Sequence, residues 1–247
     1  MTRNAVATAC AECPLRDFEV FKERSHSEVA FIQQLKDGER TAAAGTAIVT
    51  EGVHNDSLFT VLSGWVFHYR TLDGSRRQII NYGLPGDFLG LQATLDDVTS
   101  HGIEALTDVT LCHFDRSKLW SLYADHPRLA YDMTWIAARQ ERSFEEQLLT
   151  LGQRTAFERI AYLLWHLFDR ARTVGLVIDN TVHLPIRQQH IADTLGLSLV
   201  HTNKTLQKIR EDRAIEIQDR ALRVLDEARL VRLGRVDTTL SSKRPLI

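Results

Sequence analysis

Hydrophobic positions follow two periods along the chain, and the change of period divides it. From about residue 31 to residue 114 the signals are those of strands. Leu58-Phe59-Thr60-Val61-Leu62 is followed by Ser63-Gly64 and then by Trp65-Val66-Phe67-His68-Tyr69. Asp73-Gly74 separates that run from Gln78-Ile79-Ile80-Asn81-Tyr82, a hairpin signal because Gly tolerates positive φ. Pro85-Gly86-Asp87 then punctuates before Phe88-Leu89-Gly90. Short strands at such spacing predict an antiparallel barrel or jelly roll.

Between residues 127 and 152 the period becomes helical. Leu129, Met133, Ile136, Phe144, Leu148 and Leu151 form one stripe, with Gln140 and Gln147 close to it. Such a stripe suits a helix packed on its own domain. On a long helix leaving a β-domain it also suits a seam between two subunits, and the seam is the expectation carried forward. Residues 155–171 repeat the helical pattern with Ile160, Leu163, Leu164, Leu167 and Phe168. Two short strand-like pieces follow, Leu176-Val177-Ile178 and Val182-His183-Leu184.

The segment from Arg187 onward is the most informative. Ile191, Ala192 and Leu195 form the inner face of a helix that stops at Gly196, which can take the backbone conformation of a sharp turn. Ser198 is placed to cap the next helix, in which Thr202, Leu206 and Ile209 share one face. Val200, Asn203, Lys204 and Gln207 share another. A helix, a Gly turn and an amphipathic second helix are what a major-groove reader requires. Asn bonds adenine N6 and N7, Lys bonds guanine O6 and N7, and Val or Leu touches a thymine methyl. Arg187, Gln188, Gln189 and His190 begin the first helix, where donors to phosphate set register. Residues 214–218 and 221–225 flank Asp219-Arg220 as a two-stranded wing.

Charge supports that division. Residues 1–150 carry 14 Lys/Arg and 21 Asp/Glu, a net of −7, whereas residues 151–247 carry 16 and 11, a net of +5. A basic second half joined to an acidic first half points to a polyanionic partner for the second. With 44% hydrophobic residues over 247 positions, the chain has the composition of two modest globular domains. No apolar run is long enough for a membrane span, and residues 1–9 lack the pattern of a secretory signal. Three cysteines, an odd number, favour the reducing cytoplasm over a secreted disulfide framework.

Residues 184–230 resemble the winged helix of the Crp–Fnr superfamily of bacterial transcription regulators, in its Fnr- and FixK-like branch. Gly64, Gly74, Pro85-Gly86-Asp87-Phe88-Leu89-Gly90 and the helix before Gly152 match the family's glycine-marked β-roll and dimer helix. The resemblance implies an α+β fold: an N-terminal antiparallel β-roll (a cyclic-nucleotide-binding-like jelly roll), a long dimerisation helix and a C-terminal winged helix-turn-helix. The expected divisions are a leader at 1–28, a β-roll sensor at 29–117, a dimerisation helix at 118–152, a winged helix-turn-helix at 153–235 and a loose tail at 236–247. It further implies a homodimer, RNA polymerase as a partner, and a near-palindromic stretch of double-stranded DNA as the target. By position, the family's base-reading residues fall at Leu199, Val200, Asn203 and Lys204, with Ser198 and His201 beside them for phosphate. The family commonly has Glu where this chain has Val200, so the usual half-site is not expected here.

The same resemblance bears on the signal. Cyclic-nucleotide-binding members carry an acidic residue after the β-roll Gly and an Arg-Ser pair about ten residues later. Here Leu91 follows Gly90, and Thr99-Ser100 stands in place of Arg-Ser. Without the Arg that compensates a cyclic phosphate, cyclic AMP is not expected. Cys10, Cys13 and Cys112 match three of the four thiolates of the oxygen-sensing members, and Glu19 occupies the remaining position. No cofactor is therefore expected. An iron–sulfur cluster or a Cys10–Cys13 thiol switch stands as the alternative within the same fold. An enzyme is the outside rival, a cupin-like metal site using His68, His113 and Cys112. It lacks the His-x-His pair with a following carboxylate, and no nucleophile elbow, phosphate loop or zinc spacing is present.

Overall fold

The computed structural model describes residues 2–3, 7–74, 76–94, 98–237 and 243–247. They divide into two compact units. The first comprises Met1–Arg76, Ile80–Arg142 and Lys243–Ile247, and the second Arg77–Ile79 and Ser143–Ser242.

The described residues up to Asp115 form strands β1 Thr2–Arg3, β2 Lys36–Ala42, β3 Ala47–Val49, β4 Ser57–Ser63, β5 Val66–Leu72, β6 Arg76–Gly83 (of which Arg77–Ile79 belongs to the second unit), β7 Phe88–Leu89, β8 Gly102–Ala105 and β9 Val109–Asp115. They form two sheets, ordered β1-β2-β9-β4-β7 and β3-β8-β5-β6. Alternation along β9 separates two cores, because successive side chains leave opposite faces of a strand. Val109 and Leu111 join Phe59, Val61, Val66 and Ile103 in one core. Cys112 and Phe114 join Leu58, Phe88 and the helical layer in the other. The predicted jelly roll is present.

That helical layer contains α1 His26–Leu35, α2 Leu119–Asp125 and the start of α3 Pro127–Gln153. Helix α1 corrects the expectation of strand from about residue 31. Ser25 and Glu28 form a reciprocal cap, and Val29, Ile32 and Leu35 fall on one buried face, so a helical signal was available there. Leu129 and Met133 of α3 are fully buried in the same core as Ile32 and Leu122. Asp132, on the same helix, is buried between Lys22 Nζ at 2.9 Å and Arg24. Of the expected loose tail at 236–247, residues 238–242 lie outside those described, and the last five need correction. Lys243–Ile247 belongs to the first unit, and Ile247 is 7% exposed within its core.

The second unit contains α4 Ala156–Thr173, strands β10 Val177–Ile178 and β11 Thr181–His183, then α5 Gln188–Leu195, α6 Leu199–Glu211, β12 Ile215–Gln218, β13 Ala221–Val224 and α7 Glu227–Leu233. Its four strands form one sheet, ordered β10-β11-β13-β12. Helix α4 presents Ile160, Leu163, Leu164, Leu167 and Phe168 inward and packs against α5, α6 and α7. Buried Arg154 ties its start to the chain beyond α7. Its guanidinium donates to Gly234 O at 3.1 Å, Arg235 O at 3.1 Å and Thr150 Oγ1 at 2.7 Å, pairs with Glu146 at 2.8 Å, and lies over the Tyr162 ring at 4.3 Å. A buried guanidinium so fully partnered avoids the desolvation cost of an unpaired charge. No helix among the described residues is long and apolar enough to cross a membrane.

Helix α4 opens with a second reciprocal cap. Thr155 Oγ1 accepts from Glu158 N at 3.4 Å, and Glu158 Oε2 accepts from Thr155 N at 2.8 Å. Thr155→Ala is expected to cost about 0.5–2 kcal/mol in urea unfolding of the second unit, with Thr155→Ser close to wild type. Equal stability of all three proteins would contradict the cap.

Candidate nucleic-acid interface

Helix α5 ends at Gly196, whose φ of 63° and ψ of 35° give the left-handed stop that a residue with a side chain adopts only with strain. Two residues later Ser198 Oγ accepts from His201 N at 3.2 Å and starts α6. Thr202, Thr205, Leu206 and Ile209 are buried. Val200, 65% exposed, lies on the other side with Asn203, Lys204 and Gln207, all open to solvent. The strip expected to face base edges is outward and continuous along the helix. Leu199 is exposed beside it, as is His201.

Arg187, Gln188 and Gln189 are exposed at the start of α5. Gln189 donates to Asp193 Oδ1 at 2.6 Å, and Gln207 donates to Glu211 Oε1 at 3.0 Å, so both amides are held by neighbours one turn away. His190 departs from the expectation. It is half-buried, and its Nδ1 accepts the Arg187 backbone N–H at 3.0 Å. Burial, reinforced by the guanidinium charges of Arg77 and Arg187, holds its pKa below the ordinary histidine value. It acts as a neutral cap and offers no cation at that nitrogen. The Ser198 hydroxyl is likewise engaged in capping.

The wing forms as expected, with Asp219 at φ 48° and Arg220 at φ 66° making the two-residue turn between β12 and β13. Exposed Arg220 and Arg223 on the wing, and Lys208, Arg210 and Arg213 at the end of α6, are cations not singled out from the sequence. Strand alternation in Ala221-Leu222-Arg223-Val224 was the available signal: Leu222 and Val224 are buried, and Arg223 faces out.

The α3 stripe splits. Leu129 and Met133 are consumed in the first unit's own core, which removes them from a subunit seam. Ile136, Gln140 and Leu151 are half-buried, whereas Phe144 is 44% and Leu148 74% exposed, with Leu149 beside them at 49%. The stripe thus serves intramolecular packing at its start and presents apolar surface farther along.

In the β-roll, Thr99 is buried and its hydroxyl donates to Thr50 O at 3.1 Å. Ser100 donates to Gln92 Oε1 at 2.7 Å. Neither position supplies the cation that a cyclic phosphate needs. His68 on β5 lies 5.1 Å from His101, ring to ring, whereas His113 and Cys112 are on β9 of the other sheet, with His113 hydrogen-bonded to Ser57 Oγ at 3.0 Å. Among the described residues, no group of three or more His, Cys, Asp or Glu could hold a metal ion.

Cys10, Cys13 and Cys112 do come within electrostatic range of one another, and Cys10 and Cys112 within range of Lys36. Burial, partly offset by Lys36, pushes the Cys112 thiol up to about 12, and burial also raises Cys10. The chain has three cysteines, one short of the four-thiolate complement of a cluster.

Comparison with known proteins adds to this geometry. Residues 39–126 match the family model of the Cyclic nucleotide-binding domain, and residues 158–233 that of the Crp-like helix-turn-helix domain. The chain is 34% identical over 184 residues, 74% of its length and 75% of the relative's, to the Transcriptional activatory protein AadR of Rhodopseudomonas palustris. It is 30% identical to the Nitrogen fixation regulation protein FixK of Bradyrhizobium diazoefficiens, covering 91% of this chain and 93% of that one. The solved structure of FixK2 from Bradyrhizobium japonicum superposes with a TM-score of 0.74 at 26% identity, covering 81% of this chain and 98% of the other.

The raised Cys112 pKa has a kinetic consequence, because the thiolate is the nucleophile. At pH 8 a thiol near 12 is thiolate to only on the order of 10⁻⁴, against a substantial fraction in an unfolded chain. Alkylation of Cys112 in the folded protein, followed by peptide mass analysis, is expected to be about 10³-fold slower than in urea and to accelerate as pH rises toward 12. Equal rates in folded and unfolded protein would contradict the burial.

Proposed function

Because the chain belongs to the Crp–Fnr family of transcription regulators, we propose that it reads DNA as a homodimer through the outward strip of α6. The observation that carries the reading is that Val200, Asn203, Lys204 and Gln207 are all exposed opposite buried Thr202, Leu206 and Ile209. Asn203 and Lys204 bond base edges, Val200 and Leu199 make apolar contact, and Arg187, Gln188, Gln189 and His201 hold phosphates. Val200 cannot accept from a cytosine amine, so the half-site differs from that of relatives with Glu there.

Exposed Phe144, Leu148 and Leu149 on α3 support pairing of that helix with its counterpart in a second copy, the seam lying beyond Met133. A two-fold dimer would set its two α6 helices in successive major grooves, about 34–36 Å apart, on a near-palindromic site. The first unit senses a signal, and its effect is a shift in the fraction of dimers competent for DNA. Similarity to the transcriptional activatory protein AadR supports activation of transcription; RNA polymerase would then be the partner and the cytoplasm the place of action. The protein carries out no catalysis of its own in this reading. No cyclic nucleotide or cluster is required, since Thr99 supplies no cation and the thiol set is one donor short.

Selection from a random duplex pool is expected to yield an enriched, near-palindromic motif, and affinity for it is expected to fall steeply with salt. A pool with no enriched sequence would overturn the reading. On the selected duplex, Lys204→Ala is expected to relax one base preference at a cost of about 1–3 kcal/mol. Arg187→Ala is expected to weaken all sequences alike and to lower the salt slope by about 1. A uniform loss with Lys204→Ala would reassign it to phosphate.

A further inference from the structure

Residues 243–247 are held by the first unit in a way that none of the DNA-reading chemistry uses. The five residues read Lys243-Arg244-Pro245-Leu246-Ile247, and three kinds of interaction meet them. Backbone pairing comes first: Arg244 N donates to Val20 O at 2.8 Å, and Lys22 N donates to Arg244 O at 2.9 Å, a parallel bridge between Phe21 and Arg244. The Arg244 side chain then enters a slot with an acidic and an aromatic wall. Its guanidinium meets Asp87 Oδ1 at 2.5 Å and Pro85 O at 3.0 Å and lies 4.6 Å over the Phe21 ring. Finally, Ile247 is buried among Leu58, Phe88, Phe114, Leu129 and Met133, while Arg24 donates to Leu246 O at 3.2 Å and the Thr60 hydroxyl to Ile247 O.

The slot is built by glycine. A Cβ on Gly86, whose φ is 84°, would lie 2.1 Å from the Phe21 ring, so only glycine there lets Phe21 lie flat beneath Arg244. Arg24 also pairs with Asp132 of α3, and Leu129 and Met133 touch the same core as Ile247. Main-chain pairing supplies affinity and the two side-chain pockets supply selectivity, the pattern of strand-addition peptide recognition.

We propose that the leader, the Pro85-Gly86-Asp87 turn and the first turns of α3 form a peptide-binding slot. It selects a short segment with Arg followed three residues later by a large aliphatic side chain, and Lys243–Ile247 of the same chain is its occupant. Tethering gives that occupant an effective concentration on the order of millimolar, so a free peptide competes only at comparable concentration. Occupancy of the slot is independent of DNA reading.

Hydrogen exchange on the full chain reads the slot directly through the Lys22 and Arg244 amides. Both are expected to be protected in the wild type, and Ile247→Asp is expected to accelerate them about tenfold or more while Leu111 in β9 is unchanged. Arg244→Ala, which alters no core position, is expected to act in the same direction more weakly. A Lys-Arg-Pro-Leu-Ile peptide with an amidated end, at millimolar concentration, is expected to restore protection of Lys22 in Ile247→Asp. Wild-type amides exchanging at the rate of an unfolded peptide, or no restoration by the peptide, would overturn the slot. Restoration of Lys22 protection in isotope-labelled Ile247→Asp on mixing with unlabelled wild type would move the occupant to a second copy and overturn the same-chain assignment.

Discussion

A helix with one apolar face can turn only that face inward, and α6 shows the consequence. Thr202, Leu206 and Ile209 must leave water, and α4 and α5 supply the surface against which they do so. With 3.6 residues per turn, Val200, Asn203, Lys204 and Gln207 are then carried outward together. The outward strip is thus set by burial on its opposite side. The Gly196 stop and the Ser198 cap fix where the helix begins, and hence which residues stand in its first turn. Arg154 holds the surrounding scaffold by satisfying carbonyls just beyond α7.

The first unit obeys the corresponding rule with period two. Along β9, Val109 and Leu111 fill the inside of the roll, and Cys112 and Phe114 are driven to the side covered by α1, α2 and α3. That geometry draws Cys112 toward Cys10 and the leader, and the same burial keeps its thiol protonated. Proximity and reactivity therefore pull in opposite directions. Cys10 packs against the core that holds Cys112, and burial there disfavours the free thiolate of both.

The leader and residues 243–247 illustrate how a segment without periodicity becomes ordered. Neither has an amphipathic repeat, yet Phe21 lies against Gly86, Arg244 lies on Phe21, and Ile247 enters the core that also takes Leu129 and Met133. Those two α3 residues read as members of a single stripe with Phe144 and Leu148. The stripe is continuous in sequence and divided in space, its start covered by the chain's own core and its later part left open.

Local sequence pattern determines much of this protein. The strand runs with Asp73-Gly74 and Pro85-Gly86-Asp87, the long helix, the Gly196 turn and the wing around Asp219-Arg220 were legible because each depends on periodicity or on a residue that alone tolerates a backbone conformation. The outward strip of α6 was legible for the same reason. Helix α1 carries a local signal in its Ser25–Glu28 cap, but it runs directly into β2, so the strand pattern that follows overlaps its end. Other features were decided by tertiary structure alone: the division of the α3 stripe, the capping role of His190, the gathering of Cys10 and Cys112 around Lys36, and the seating of Lys243–Ile247. Each depends on partners more than a turn of helix away, and residue spacing encodes a side chain's direction but not the surface it meets.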